Sequence, residues 1–126
     1  MIELKFPEGT LKDVSRLDKA FYTCYALTSI IFPEGSLQAL TSAALWGAFS
    51  SCIKLEELVI YNLPNSNLTN TGFSTCTKLT LQSLQNILNA LPVTTSGYKC
   101  TIGTTNLNKL SAADIQIATD KGWTLN

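Results

Sequence analysis

For chemistry the chain offers four cysteines, nine carboxylates and no histidine. Cys24, Cys52 and Cys76 each follow a phenylalanine by three residues (Phe21, Phe49, Phe73). No Cys-x-x-Cys or Cys-x-x-His spacing occurs, so a zinc site has no ligand set. Equivalent cysteines on neighbouring repeats come within disulfide range by distance. Side chains stacked in parallel rarely have the required Cβ orientation, however, and three thiols cannot all pair. The expectation is buried free thiols, each a small apolar group with a weak donor set against loop backbone at a repeat corner. Cys100 gets the same reading from its alternation in a later strand. Without imidazole the usual base for a serine or cysteine nucleophile is missing. The carboxylates are scattered, and only Glu56 and Glu57 are adjacent. Neighbouring strand residues point to opposite faces, so that pair is no acid/base dyad. No glycine-rich phosphate loop and no calcium-loop spacing is present. These residues argue against an enzyme, and no cofactor or metal is expected.

The elements that position these residues repeat. The frame Phe-x-x-Cys-x-x-Leu-x-x-(Ile/Leu) runs through Phe21, Cys24, Leu27 and Ile30, then Phe49, Cys52, Leu55 and Leu58, and is cut short at Phe73, Cys76 and Leu79. A second echo sets Leu4-Lys-Phe-Pro-Glu-Gly9 against Ile30-Ile-Phe-Pro-Glu-Gly35, an offset of 26 residues. Leu4 and Phe6, Ile30 and Phe32, and Leu58 and Ile60 are two apart, so each pair points to one side of a strand, the interior. Pro-Glu-Gly ends the strand, because proline lacks a ladder donor and glycine accepts the turn. Leu11, Val14, Leu17 and Phe21 then recur at helical spacing behind Thr10 as cap. Leu37, Leu40, Ala44, Leu45 and Phe49 do so behind Ser36. Two helical returns are predicted there. Residues 65–72 are polar and short, and read as a turn or 3₁₀ segment. A period of 20–29 residues with leucines at this spacing belongs to leucine-rich repeats. The expected fold is therefore α/β, an open solenoid of parallel strands and helical returns over residues 1–80.

From residue 81 the pattern changes. Leu81, Leu84, Ile87, Leu88 and Leu91 form an apolar stripe that stops at Pro92, which predicts a helix. Tyr98, Cys100 and Ile102 alternate as a strand. Residues 106–110 read as a connection, and Ser111 with Asp114 has capping-box spacing ahead of a short helix that stops at Gly122. Trp123–Leu125 reads as a last strand. Residues 81–126 are thus expected to be a helix-strand-helix-strand module closing the stack, as solenoids require, within the same domain. At the other end nothing ahead of Ile2–Phe6 covers that strand's edge. Further repeats of the parent chain are expected there, the alternative being a self-contained protein whose first helix or a dimer contact hides the edge.

Formal net charge is zero over 126 residues, charged residues make up 14%, and no Lys/Arg run occurs. Phosphate neutralisation, and so nucleic-acid binding, has no footprint. No apolar run approaches the ~20 residues of a membrane span, and Met1-Ile-Glu-Leu-Lys5 is no signal peptide. What remains is a binding face. With the even-numbered strand residues inward, Glu3, Ser29 and Glu57 form one outward column and Lys5, Ile31 and Val59 another, with Tyr61 beyond. The bland reading is of β-formers on a solvated sheet. The sharper one is a partner-binding face with an apolar strip at Ile31 and Val59. Trp46 and Tyr22 read as packing residues.

The frame through Phe21, Cys24, Leu27 and Ile30, and its copies at Phe49 and Phe73, resembles the BspA-like leucine-rich repeats, also called treponema-pallidum-type repeats. The resemblance covers residues 2 to about 80. Residues 81–91, 103–110 and 118–125 look like the C-terminal module of such proteins, which closes surface or tail-associated polypeptides in gut bacteria and their phages. The resemblance implies a non-enzymatic interaction module of a bacterial surface protein, extracellular or on the cell surface. It would serve adhesion by binding a protein or glycan of the host through the sheet face. The alternative it implies is a structural or tip component of a phage tail, and so a virion location.

Overall fold

A computed structural model describes residues 1–42 and 44–126. Three short strands, β1 (Glu3–Lys5), β2 (Ser29–Ile31) and β3 (Glu57–Val59), form a parallel sheet in that order. Their register sets Leu4 beside Ile30 and Ile30 beside Leu58, so the offsets are those of the sequence echoes. The inward residues meet the expectation. Ile30, Phe32 and Leu58 are fully buried and Ile60 nearly so, while Leu4 and Phe6 at the β1 edge are half-buried. Behind the sheet the frame phenylalanines stack as a column, with ring centroids 5.6 Å apart for Phe21–Phe49 and 5.1 Å for Phe49–Phe73. Offset aromatic stacking at this distance adds to area burial in the core.

The two returns are not helices. Residues 10–28 and 36–56 run as successive turns, although position 43 of the second return lies outside the described residues. The reason lies in where the backbone donors go. A helix spends each N–H on the carbonyl four residues back. Here the N–H groups of Leu17, Lys19 and Phe21 donate to the carbonyls of Ala44, Trp46 and Ala48 at 2.7–2.9 Å, and Leu37 N–H donates to Leu11 O at 3.0 Å. Left-handed residues break any helical run: Leu11 and Leu37 have φ near +61°, and Thr23 and Ser51 have +58° and +65°. They recur at the strand offsets, so the turns repeat as the strands do. Thr10 caps no helix; its hydroxyl donates to Pro7 O at 2.7 Å. The Ser36 hydroxyl is buried and has no partner among the described residues.

The C-terminal part holds α1 (Leu81–Ala90), α2 (Thr104–Leu107), α3 (Ala112–Asp120) and a second parallel pair, β4 (Lys99–Cys100) and β5 (Thr124–Leu125). The Thr80 side chain caps α1 by accepting from Ser83 N–H. Leu84, Ile87, Leu88 and Leu91 are buried as the stripe predicts, but Leu81 in the first turn is 43% exposed. Leu91 precedes Pro92 and is extended, which ends the helix. The Lys121 ammonium then donates to Leu88 O and Asn89 O, satisfying two of the carbonyls that a helix end leaves free. The capping box of α3 forms as read from Ser111 and Asp114. The expected connection at 106–110 is a correction: α2, one turn of helix, starts after Gly103. A 3₁₀ turn at Phe73–Thr75 lies against it. Leu68, in the polar third return, is buried and bridges to Cys100. Among the described residues the architecture is mixed α/β, with two small parallel sheets and three helices.

The edge of β3 is closed by side chains rather than by a fourth strand. Leu58 N–H donates to Ser83 Oγ at 2.9 Å, Ser83 Oγ donates to Glu56 O at 3.0 Å, and Asn86 Nδ2 donates to Leu58 O at 2.9 Å. The polar face of α1 thus takes up the ladder groups that an edge strand would leave open.

Candidate functional site

The sheet register places the proposed face directly. Glu3, Ser29 and Glu57 lie in one row and Lys5, Ile31 and Val59 in the next. Glu3, Lys5 and Glu57 are exposed, and Ile31 and Val59 are half-buried. Tyr61 is 46% exposed beyond them. Ser29 departs from the expectation: it points outward but is 0% exposed. Strands in a sheet stand about 4.8 Å apart, so longer side chains on both neighbours close over a serine. Its hydroxyl donates to Glu57 Oε1 at 2.5 Å. Alternation gives a side chain's direction, not how high its neighbours stand. Ser29 therefore orients Glu57 and offers no contact area of its own.

The helix α1 borders this face. Glu57, Val59, Gln82 and Asn86 line a hollow of about 210 Å³, and Val59, Tyr61, Asn86 and Asn89 line another of about 190 Å³. Gln82, Asn86 and Asn89 were legible only as the polar side of the helix stripe. Their place beside β3 depends on tertiary packing.

Cys24, Cys52 and Cys76 lie outside the strands and helices, three residues after Phe21, Phe49 and Phe73, and Cys100 ends β4. Cys52 Sγ donates to Phe21 O at 3.1 Å and Cys76 Sγ to Phe49 O at 3.4 Å, each reaching the preceding repeat. Cys24 is half-buried, and all four thiols are free. Burial pushes the Cys52 thiol up to about 11, and Cys76 and Cys100 up to about 12. A thiol held protonated at neutral pH is a poor nucleophile and a poor metal ligand. No group of three His, Cys, Asp or Glu among the described residues could hold a metal ion. No helix there is long and apolar enough to cross a membrane.

Tyr22 and Trp46 correct the reading of them as packing residues. They are 50% and 49% exposed. The Lys19 ammonium lies over both rings, 4.7 Å from the Trp46 centroid and 5.6 Å from that of Tyr22. Together they wall a cleft of about 350 Å³ on the turn side of the molecule, floored by Gly47 and rimmed by Ser50, Asn70 and Ser74. In sequence Lys19, Tyr22 and Trp46 share no spacing, so only the stacking of successive turns brings them together.

With the fold class defined as mixed α/β, the chain was compared with protein-family models, with curated proteins and with solved structures; none matches.

Proposed function

We propose that residues 1–80 are leucine-rich repeats of a solenoid closed by residues 81–126, and that the chain is a non-enzymatic interaction module. In this reading it belongs to a bacterial surface protein and binds a protein or glycan of the host through the outer face of the sheet. The observation that carries the reading is the register: equivalent residues of three repeats line up in two outward rows, with Tyr61 exposed at their end. Aligned rows from successive repeats are the usual contact surface of stacked-repeat proteins. The hollows between β3 and α1 extend that surface with amide groups, which suit a polar macromolecule. The same reading has the outer edge of β1 pair with a further repeat of the parent chain.

Gold-labelled antibody on source cells and on the particles they shed tests the location. Label on the envelope of intact cells is expected. Label on tailed particles would make the chain a virion component, and label only inside cells would refute both. A screen against host proteins and glycans follows. Glu57→Ala, Val59→Ser and Tyr61→Ala are expected to weaken capture at least ten-fold, and unchanged capture would move the contact off the sheet.

A further inference from the structure

The cleft beneath Trp46 is assembled from three successive turns by backbone bonds. Lys19 N–H donates to Trp46 O at 2.8 Å, and Gly47 N–H donates to Asn70 O at 2.6 Å. Lys19 adopts a left-handed backbone, φ +54°, where the equivalent position of the next repeat is Gly47 at +66°. Left-handed backbone disfavours side-chain-bearing residues and favours glycine. Lysine is thus a locally costly choice at a place where the neighbouring repeat uses glycine. The missing Cβ of Gly47 also leaves room for the Lys19 stem, since a methyl there would stand 3.2 Å from Lys19 Cγ.

The ammonium held there has no carboxylate partner among the described residues. The acid beside it in sequence, Asp18, is engaged by Arg16 through both guanidinium contacts. The side chains of Ser50, Asn70 and Ser74 on the rim make no hydrogen bond among the described residues. A narrower recess of about 80 Å³ shares Trp46 and Asn70 with the cleft. Ser66 lines that recess, and its hydroxyl is buried without a partner among the described residues. The site therefore offers two exposed aromatic rings, one cation, unspent amide and hydroxyl groups, and no anion.

We propose that this cleft binds a sugar ring bearing a carboxylate, of the uronic or sialic acid class. The carboxylate meets the Lys19 ammonium where it lies over the two rings, and the electropositive C–H groups of the sugar pack against the exposed parts of Trp46 and Tyr22 that the ammonium leaves uncovered. Asn70, Ser50 and Ser74 hydrogen-bond the ring hydroxyls, and the recess at Ser66 takes one further hydroxyl. A single cation suits one carboxylate better than a phosphate or a sulfate cluster. The hydroxyl and amide rim suits a sugar better than a peptide terminus. The site volume lies at the low end of the usual ligand range of ~300–1,000 Å³, which fits one ring. The proposal rests on the chain being a binding module and is independent of the sheet face.

Tryptophan fluorescence of the full chain, titrated with glucuronate- and sialate-terminated oligosaccharides, tests it. Trp46 is exposed and Trp123 buried, so a change lost in Trp46→Phe reports the cleft. Saturable binding of at least one acidic sugar is expected, ten-fold or more weaker once its carboxylate is reduced to an alcohol. Lys19→Gly removes the ammonium while relaxing the left-handed backbone. It should keep or raise the melting temperature and weaken binding at least ten-fold. Gln116→Ala, exposed on α3 and outside both the cleft and the sheet face, should leave saccharide binding unchanged. No saturable binding of either acidic sugar, equal binding of the reduced ones, or no effect of Lys19→Gly would overturn the assignment. Any of these leaves the localisation and sheet-face experiments to stand or fall separately.

Discussion

The two ends of the sheet are finished differently. At β3 the ladder groups of Glu56 and Leu58 are met by Thr80 N–H, Ser83 and Asn86. Nearby, the buried Asn106 amide donates to the carbonyls of Phe73, Cys76 and Ile102, and Lys109 donates to Thr77 O and Leu79 O. At β1, Ile2 O and Phe6 N–H face β2. By alternation the backbone groups of Glu3 and Lys5 face outward. No described residue pairs with them, and Ile2, Leu4, Phe21, Cys24 and Leu27 border a broad apolar hollow of about 420 Å³. The difference teaches that a sheet edge can be closed by side chains that take the place of the missing backbone partners, as α1 does at β3. At β1 the protection is weaker: a three-residue strand, a lysine, and Pro7, which has no donor to leave open.

The contrast can be broken by substitution. Phe73→Ala, at the closed end, should cost about 3–5 kcal/mol. Phe6→Ala, on a half-buried ring 5.3 Å from Phe32, should cost roughly 1–2 kcal/mol. Urea denaturation reads both, and equal losses would erase the distinction. Asn106→Ala strips a donor from three buried carbonyls and should cost about 2–3 kcal/mol, seen in the same measurement.

Alkali sharpens the contrast through the thiols. Cys52, Cys76 and Cys100 stay protonated in the folded chain to about pH 11–12, whereas an unfolded thiol ionises near ~8.5. Between those values the folded state binds more protons than the unfolded one. Stability is therefore full below about pH 8.5 and falls as pH rises toward the folded-state values. A flat alkaline profile, or one unchanged by Cys76→Ala, would contradict this. In the native chain a thiol reagent should modify Cys24 first. Smaller still, Ser83→Ala should cost about 1 kcal/mol by orphaning Leu58 N–H, while Lys5→Ala at the open edge should stay within ~0.5 kcal/mol.

Much of this was legible in the residues. The echo of Leu4-Lys-Phe-Pro in Ile30-Ile-Phe-Pro gave the parallel register, because an inward pair followed by a donor-free stop can stack in only one alignment. The stripe from Leu84 to Leu91 and the Ser111/Asp114 box located α1 and the start of α3. The returns were illegible for a physical reason: Leu11, Val14 and Leu17 match a helical period, but nothing in their types shows that the Leu11 carbonyl and the Leu17 N–H are bonded to a segment 26–27 residues away. The polar edge of α1 and the gathering of Lys19, Tyr22 and Trp46 were hidden for the same reason. Both are made by stacking. Ser29 was misread because alternation is blind to the height of Glu57 beside it.

Residue-resolved hydrogen exchange of the native chain tests the central contrast most directly. The Leu58 amide, bonded to Ser83 Oγ, should be strongly protected and should lose that protection in Ser83→Ala. The amides of Glu3 and Lys5 should exchange as fast as those of a loop. Protection of Glu3 and Lys5 equal to that of Leu58, or a Leu58 amide that exchanges freely in the unmodified chain, would contradict the account.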